Sequence, residues 1–531
     1  MSESGHGQRQ PLPTQFRSLF GLPPARHAEA DLIALAALMD LAPDPADPKD
    51  GPDEEENPFV PAGYTYLGQF VDHDLTFDEV SDLGDLNTFH FAVDSRTPSF
   101  DLDNVYGGGP DFKPFLYEQK PAFTGRLLLG EPISNGFHDV ARNAEGLALI
   151  GDPRNDENAL VVQVHAAVIR FHNAMVGRAN AGRGTAPCTG RDAFAWAQRQ
   201  TRFHYQRMLL DDYLPRIVDT AAPGVAGLFG TLRAGGRPEP TLFRPGAGSE
   251  MPLEFSVAAY RFGHSMIRPG YRLAGTSDSQ KVAIFSGENG GLRGFRRLDP
   301  ALGIDWRLFV HPALPAGEPL GADGQAANNA KGLGRVQFAY KIDPMVVDPI
   351  TRLPTVVAPG LLPDEKDKPA LLRSLPLRNL LRGNDFGLPS GEAVARALGL
   401  PDAAILSDEQ LTVRDQRDDP AGGSNFLPAR RIPLSQAIPA MQGSTPLWFY
   451  ILAEAEQGVI AGMAAPGTDP ELLGTRLGAV GGTIVAETFV GLMLADPDSV
   501  LNLPAPWRSI NGRATFSFPE LLAEGGVAFG N

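Results

Sequence analysis

The order of apolar and polar positions along the chain predicts a helical protein with long loops. Apolar residues recur every three to four positions over 159–176, 193–218, 255–267 and 477–494, the period of a helix that buries one face. Residues 28–41 follow the same pattern. Strand-like alternation is sparse, and no repeat of roughly 20 to 50 residues is visible. Loop signals rich in Pro, Gly, Asp and Asn lie at 44–57, 312–331, 359–369 and 415–425. They do not separate segments of different composition. The expected fold is therefore mainly α, one large helical domain over 59–531 with long loops and little β structure. Residues 1–58 are expected to form an N-terminal extension that ends in an acidic, Pro-rich loop.

Charge and cysteine content then remove several classes of function. The 531-residue chain carries a formal charge of −17, which repels nucleic-acid phosphates and anionic membrane surfaces. The lone Cys188 excludes an intrachain disulfide and any cysteine-built zinc or iron–sulfur site. The opening residues lack the apolar stretch of a secretory signal. No uninterrupted apolar run reaches the roughly 18 residues of a membrane span. The expectation is a cytoplasmic protein without a membrane span, with export by a route needing no such signal left open.

Five clusters hold candidate chemistry. In GQFVDHDLTFD (68–78), a helix would put Gln69, Asp72 and His73 on one face. A histidine between carboxylates suits acid–base work, although DHD taken alone reads better as a solvated surface loop. In 96–107, Thr97, Ser99, Asp101 and Asp103 alternate hard oxygen donors that suit Ca²⁺, or form an ordinary Asp-rich turn. GDPRNDEN (151–158) reads as a helix start with Arg154 near Glu157, and His165 and His172 follow as structural histidines. In SVAAYRFGHSMI (256–267), His264 sits in an apolar segment with Arg261 three residues before it. That arrangement fits an axial haem ligand beside a propionate partner, or a core histidine. In RNLLRGNDFGLP (378–389), Asn379 and Arg382 have helical spacing.

Taken in order, these blocks resemble the peroxidase–cyclooxygenase superfamily, the animal haem peroxidases of the myeloperoxidase-like type. The matching segments are GQFVDHDLTFD, SFDLDNVYG, GDPRNDEN with its helix, DDYLP (211–215), YRFGHSMIRP and NLLRGNDFGLP. They are collinear over roughly residues 60–400. The segment LGAVGGTIVAETFVGLMLADP is similar to the family's last core helix. The resemblance implies haem, with His264 as the proximal iron ligand, Asn379 bonded to its other ring nitrogen, and Arg261 and Arg382 on the propionates. It implies His73 as the distal base, Arg154 as the distal arginine and Gln69 as holder of water or a halide. Asp72 and Glu157 match the carboxylates that form ester links to a haem b-derived cofactor. Asp74, with Thr97, Ser99, Asp101 and Asp103, matches a calcium site behind the distal helix.

The implied reaction reduces H₂O₂ and oxidises a small donor. Asn158 stands where a methionine would form a sulfonium link, so bromide, iodide, thiocyanate or aromatic donors are expected before chloride. Asn384-Asp385-Phe386-Gly387 replaces the family's frequent Arg-Asp-His-Gly. The single cysteine and missing signal point to a bacterial relative. Two other readings remain. One is a fatty-acid dioxygenase of the same superfamily; its radical tyrosine would fall at Arg261, and Tyr260 on an α-helix would point about 100° away. The other is a non-catalytic haem-binding or adhesion module.

Overall fold

The helical periodicity is realised in a computed structural model that describes residues 14–41, 55–76, 93–94, 98–133, 137–246, 250–274, 281–286, 290–316, 318, 336–354, 373–414, 431–457 and 473–529. The greater part of the loops at 44–57, 312–331, 359–369 and 415–425 lies outside these residues. The main helices are α1 (Glu29–Leu38), α2 (Gly63–Leu75), α3 (Ala159–Asn180), α4 (Gly190–Met208), α5 (Leu375–Asp385), α6 (Leu447–Glu456), α7 (Ala479–Ala495) and α8 (Phe518–Glu524). Strands among the described residues are short. Thr14–Arg17 pairs antiparallel with Val93–Asp94 and parallel with Glu250–Pro252, and the other ladders are two-stranded.

Helix α3 starts where Asn158 caps it, its side chain accepting from the Leu160 and Val161 amides at 3.0 and 2.9 Å. Among the described helices it is long and apolar enough to cross a bilayer, yet 83% of that stretch is buried inside the protein. It is a core helix, packed against α2, α4 and α8. Helix α7 is also buried almost throughout. The carboxylate of Glu454 on α6 accepts from the Val480 and Gly481 amides at its start.

Two departures from the periodicity shape the site. The 193–218 segment is not one regular helix. α4 passes into a π turn (Leu209–Tyr213) and then a short α-turn (Leu214–Ile217). Pro215 has no N–H for the ladder there, and such a bulge re-aims the side chains around it. The 255–267 segment is not one helix either. It breaks at Ala258 between Leu253–Val257 and a 3₁₀ turn, Ala259–His264. Side chains take carbonyls at the break: Arg261 Nε donates to Ser256 O at 3.0 Å, and Trp448 Nε1 donates to Arg261 O at 3.2 Å.

Residues 14–41 of the expected extension are knit into the main core. Leu32, Leu35 and Met39 are fully buried, and α1 packs on α5. Ala25 N donates to Leu388 O and His27 N to Asn384 Oδ1, both at 2.9 Å, and Arg26 donates to Asn384 O. The Asn-Asp-Phe-Gly departure thus receives the N-terminal segment, and Gly387 ends α5 in the left-handed region at φ +67°.

Candidate active site

Helix α2 carries Gln69, Asp72 and His73 to one cavity of about 340 Å³. His73 is buried, and its Nδ1 lies 2.8 Å from Asn155 Oδ1. Burial, and then the Arg154 charge, push its pKa down to about 4. Arg154 and Asn155 are consecutive in a 3₁₀ turn, Pro153–Asp156, started by Asp152, whose side chain accepts from Arg154 N. From that turn Arg154 Nη2 donates to Thr76 O at 2.5 Å and His73 O at 3.2 Å, carbonyls at the end of α2. The same nitrogen is 2.8 Å from the fully buried Asp152 carboxylate. Gln69 Nε2 donates to Glu157 Oε2 at 3.0 Å, and Asn158 Nδ2 donates to Gln69 Oε1 at 3.1 Å. Burial raises the Glu157 pKa to about 7.

The 3₁₀ turn brings Arg261 and His264 to the same cavity, as does α5 with Arg378, Asn379 and Arg382. Asn379 Nδ2 lies 2.8 Å from His264 Nδ1. Turned end for end, the amide would offer its oxygen to that nitrogen, and the ring would then keep its proton on Nδ1 and a lone pair on Nε2. Burial, then Arg261, hold His264 neutral by pushing its pKa down to about 3. Every expected haem-site residue therefore borders one space: Gln69, Asp72, His73, Arg154, Glu157, Arg261, His264, Asn379 and Arg382.

Tyr260 lines the cavity too, which corrects the expectation that it points away. A 3₁₀ turn, at about 120° per residue, still sets Tyr260 on a different side from Arg261 and His264, and the cavity borders both sides of the turn. Its hydroxyl donates to Tyr213 Oη at 3.0 Å. Tyr213 reaches the cavity from the π turn, a role that the DDYLP motif marks only by its position. The fit explains Gly68: a Cβ there would stand 2.5 Å from Tyr213 Oη. Gly68→Ala is expected to destabilise the protein by about 1–3 kcal/mol through overpacking, read by denaturant unfolding. Tyr213→Phe in the same chain should restore part of the loss.

Asp74, at the end of α2, lies close enough to Asp101 for their charges to interact, as does Asp103. Asp74 Oδ2 accepts from Leu102 N at 3.2 Å, and Leu102 is held in the left-handed region at φ +62°. Burial, then the Asp103 and Asp74 charges, push Asp101 well above the usual carboxylate range. The Ser99 hydroxyl instead donates to Asp496 Oδ2 at 3.2 Å, and Thr97 lies outside the described residues. Among the described residues no group of three or more His, Cys, Asp or Glu is already arranged around a metal position.

Residues 88–417, more than half of the chain, match the sequence profile of the animal haem peroxidases. The chain belongs to the animal haem peroxidase family. The matched stretch holds Arg154, Glu157, His264, Asn379 and Arg382; α2, with His73, precedes it. Over 141 residues this family member is 30% identical to Dual oxidase of Drosophila melanogaster, covering 26% of this chain and 8% of that protein. The match thus spans a small part of that relative's length. Among solved structures, Peroxidase A from Dictyostelium discoideum aligns with a TM-score of 0.57 at 15% identity, over 98% of this chain and 94% of that one. A fatty acid alpha-dioxygenase from Arabidopsis thaliana aligns with a TM-score of 0.51 at 12% identity, over 95% and 75%. These likenesses show the mainly helical peroxidase fold. Haem is the cofactor expected for the family.

Proposed function

We propose that this chain is a haem-dependent peroxidase that reduces H₂O₂ and oxidises a small donor: bromide, iodide, thiocyanate or an aromatic compound. The observation that carries the reading is the meeting of two histidines in one cavity, each fixed at Nδ1 by an asparagine amide. The residues fit haem. A neutral His264 offers Nε2 to iron, and Arg261, Arg378 and Arg382 bring positive charge for the propionates. When bound, the haem supplies the redox chemistry that breaks the peroxide O–O bond. His73 takes the peroxide proton on Nε2 and returns it to the departing oxygen. Arg154 stabilises the negative charge that develops there. In this reading Asp72 and Glu157, which both line the cavity, form the ester links. The test is haem uptake and a Soret band that shifts on adding H₂O₂, followed by acidified-butanone extraction. Failure to take up haem would overturn the reading, and haem retained after extraction would support the links.

The same reading includes Ca²⁺ on Asp74, Asp101 and Asp103, with Thr97 and Ser99. Asp74 is seated on the turn that carries the other two carboxylates, and it follows His73 directly. The ion would hold the end of α2 from behind. Chelation is expected to lower peroxide turnover about tenfold or more. Full turnover with an unchanged haem spectrum would remove the ion from the scheme.

A fatty-acid dioxygenase is the second reading, favoured by one observation: Tyr260 borders the cavity, hydrogen-bonded to Tyr213. Linoleate under O₂ without peroxide distinguishes the two, because abundant oxygenated product would select the dioxygenase.

A further inference from the structure

Behind His73 lies a second, buried layer. Asn155 Oδ1 is 2.8 Å from His73 Nδ1, and Asn155 Nδ2 is 3.0 Å from Nδ1 of His165 on α3. Asn155 and His165 are fully buried. We propose that Asn155 is a positioning residue that keeps the imidazole proton of His73 on Nδ1, and that His165 sets which way the Asn155 amide faces. The inference deepens the peroxidase reading and rests on it for its catalytic consequence.

An amide can be turned end for end with little change of shape. With Oδ1 toward His73, the ring donates from Nδ1 and leaves Nε2 bare for the peroxide proton. Turned the other way, Nδ2 would donate to His73, the ring proton would move to Nε2, and the base would be lost. His165 breaks this symmetry. Its Nδ1 accepts the amide N–H when its own proton is on Nε2. That Nε2 has no hydrogen-bond partner among the described residues. The ring packs edge to face with Phe70, centroids 6.0 Å apart, and in this proposal its Nε2–H is set toward that aromatic ring, which receives an N–H better than a bare lone pair. The turn that supplies Asn155 also supplies Arg154, so two adjacent side chains grip His73, one by its carbonyl and one by its ring.

The experiment reads the proton directly. Nitrogen-15 NMR of the full-length chain, labelled at histidine and assigned with His73→Ala, shows which ring nitrogen carries it. Wild type is expected to be protonated on Nδ1. Asn155→Asp, which keeps an oxygen toward the ring, should preserve that state; Asn155→Leu and His165→Phe should shift population to Nε2. In the haem-loaded chain, association of HCN, whose proton also needs Nε2, should slow by at least ~10-fold in Asn155→Leu and far less in Asn155→Asp. Wild-type His73 protonated on Nε2, or no change in Asn155→Leu, overturns the proposal. If Asn155→Leu does not fold, the wild-type and His165→Phe spectra still decide. The NMR result does not depend on turnover, so it can fail while the peroxidase reading stands, and the reverse.

Discussion

His73→Ala is expected to lower kcat/KM for peroxide by about 10²- to 10⁴-fold while haem uptake persists. The prediction separates acid–base chemistry from cofactor binding, because His73 and His264 enter the cavity from different elements. The wild-type pH profile carries the same argument. Only neutral His73 can take a proton, and burial together with Arg154 pushes its pKa down to about 4. The rate should therefore stay level as pH falls through 6.5 and decline only near 4. Because the Arg154 charge contributes to that depression, Arg154→Gln should move the acid limb upward. Stopped-flow rates with H₂O₂ across this range give the test. A wild-type limb at the ordinary histidine value, or a His73→Ala variant as fast as wild type, would remove His73 from the reaction and favour the binding-module reading.

The sequence disclosed these residues unevenly, for physical reasons. Gln69, Asp72 and His73 share a helix face, so their spacing alone foretold their grouping. Arg261 and His264 also kept company, since residues three apart align in a 3₁₀ turn as well as in an α-helix. The helix expected over 255–267 failed because apolar spacing cannot register a Trp448 indole or an Arg261 guanidinium taking up freed carbonyls. Tyr260 was set aside because spacing along one turn does not show that a cavity borders more than one side of it. Contacts distant in sequence left no periodic trace. The His264–Asn379 pair spans 115 residues and the His73–Asn155 pair 82. The first was anticipated through family resemblance. The second was not, and His165 read as a structural histidine because its partner lies in a turn. The N-terminal segment was underestimated because extended backbone docking on Asn384 and Leu388 follows no repeat. The short motif DDYLP gave no hint that a π turn would deliver Tyr213 to the cavity.

Arg154→Gln is expected to cost both stability and rate, and the two losses can be pulled apart. Arg154 lies against the fully buried Asp152 carboxylate and against two carbonyls at the end of α2. Removing the guanidinium takes the positive charge from a buried carboxylate, a loss on the order of 3–5 kcal/mol. The lower end applies, because the Arg154 side chain is 23% exposed and solvent screens part of the pair. The rate should fall by about 10²- to 10³-fold, the usual effect of deleting one group that stabilises developing negative charge. A second change, Asp152→Asn, removes the uncompensated carboxylate and should recover much of the stability. It restores no positive charge to the cavity, so the rate should stay low. Arg154→Lys should recover part of the rate through its charge and less of the stability, since a single ammonium cannot reproduce the forked geometry. Rate recovering in step with melting temperature in the double variant would mean that Arg154 acts only by holding α2 in place.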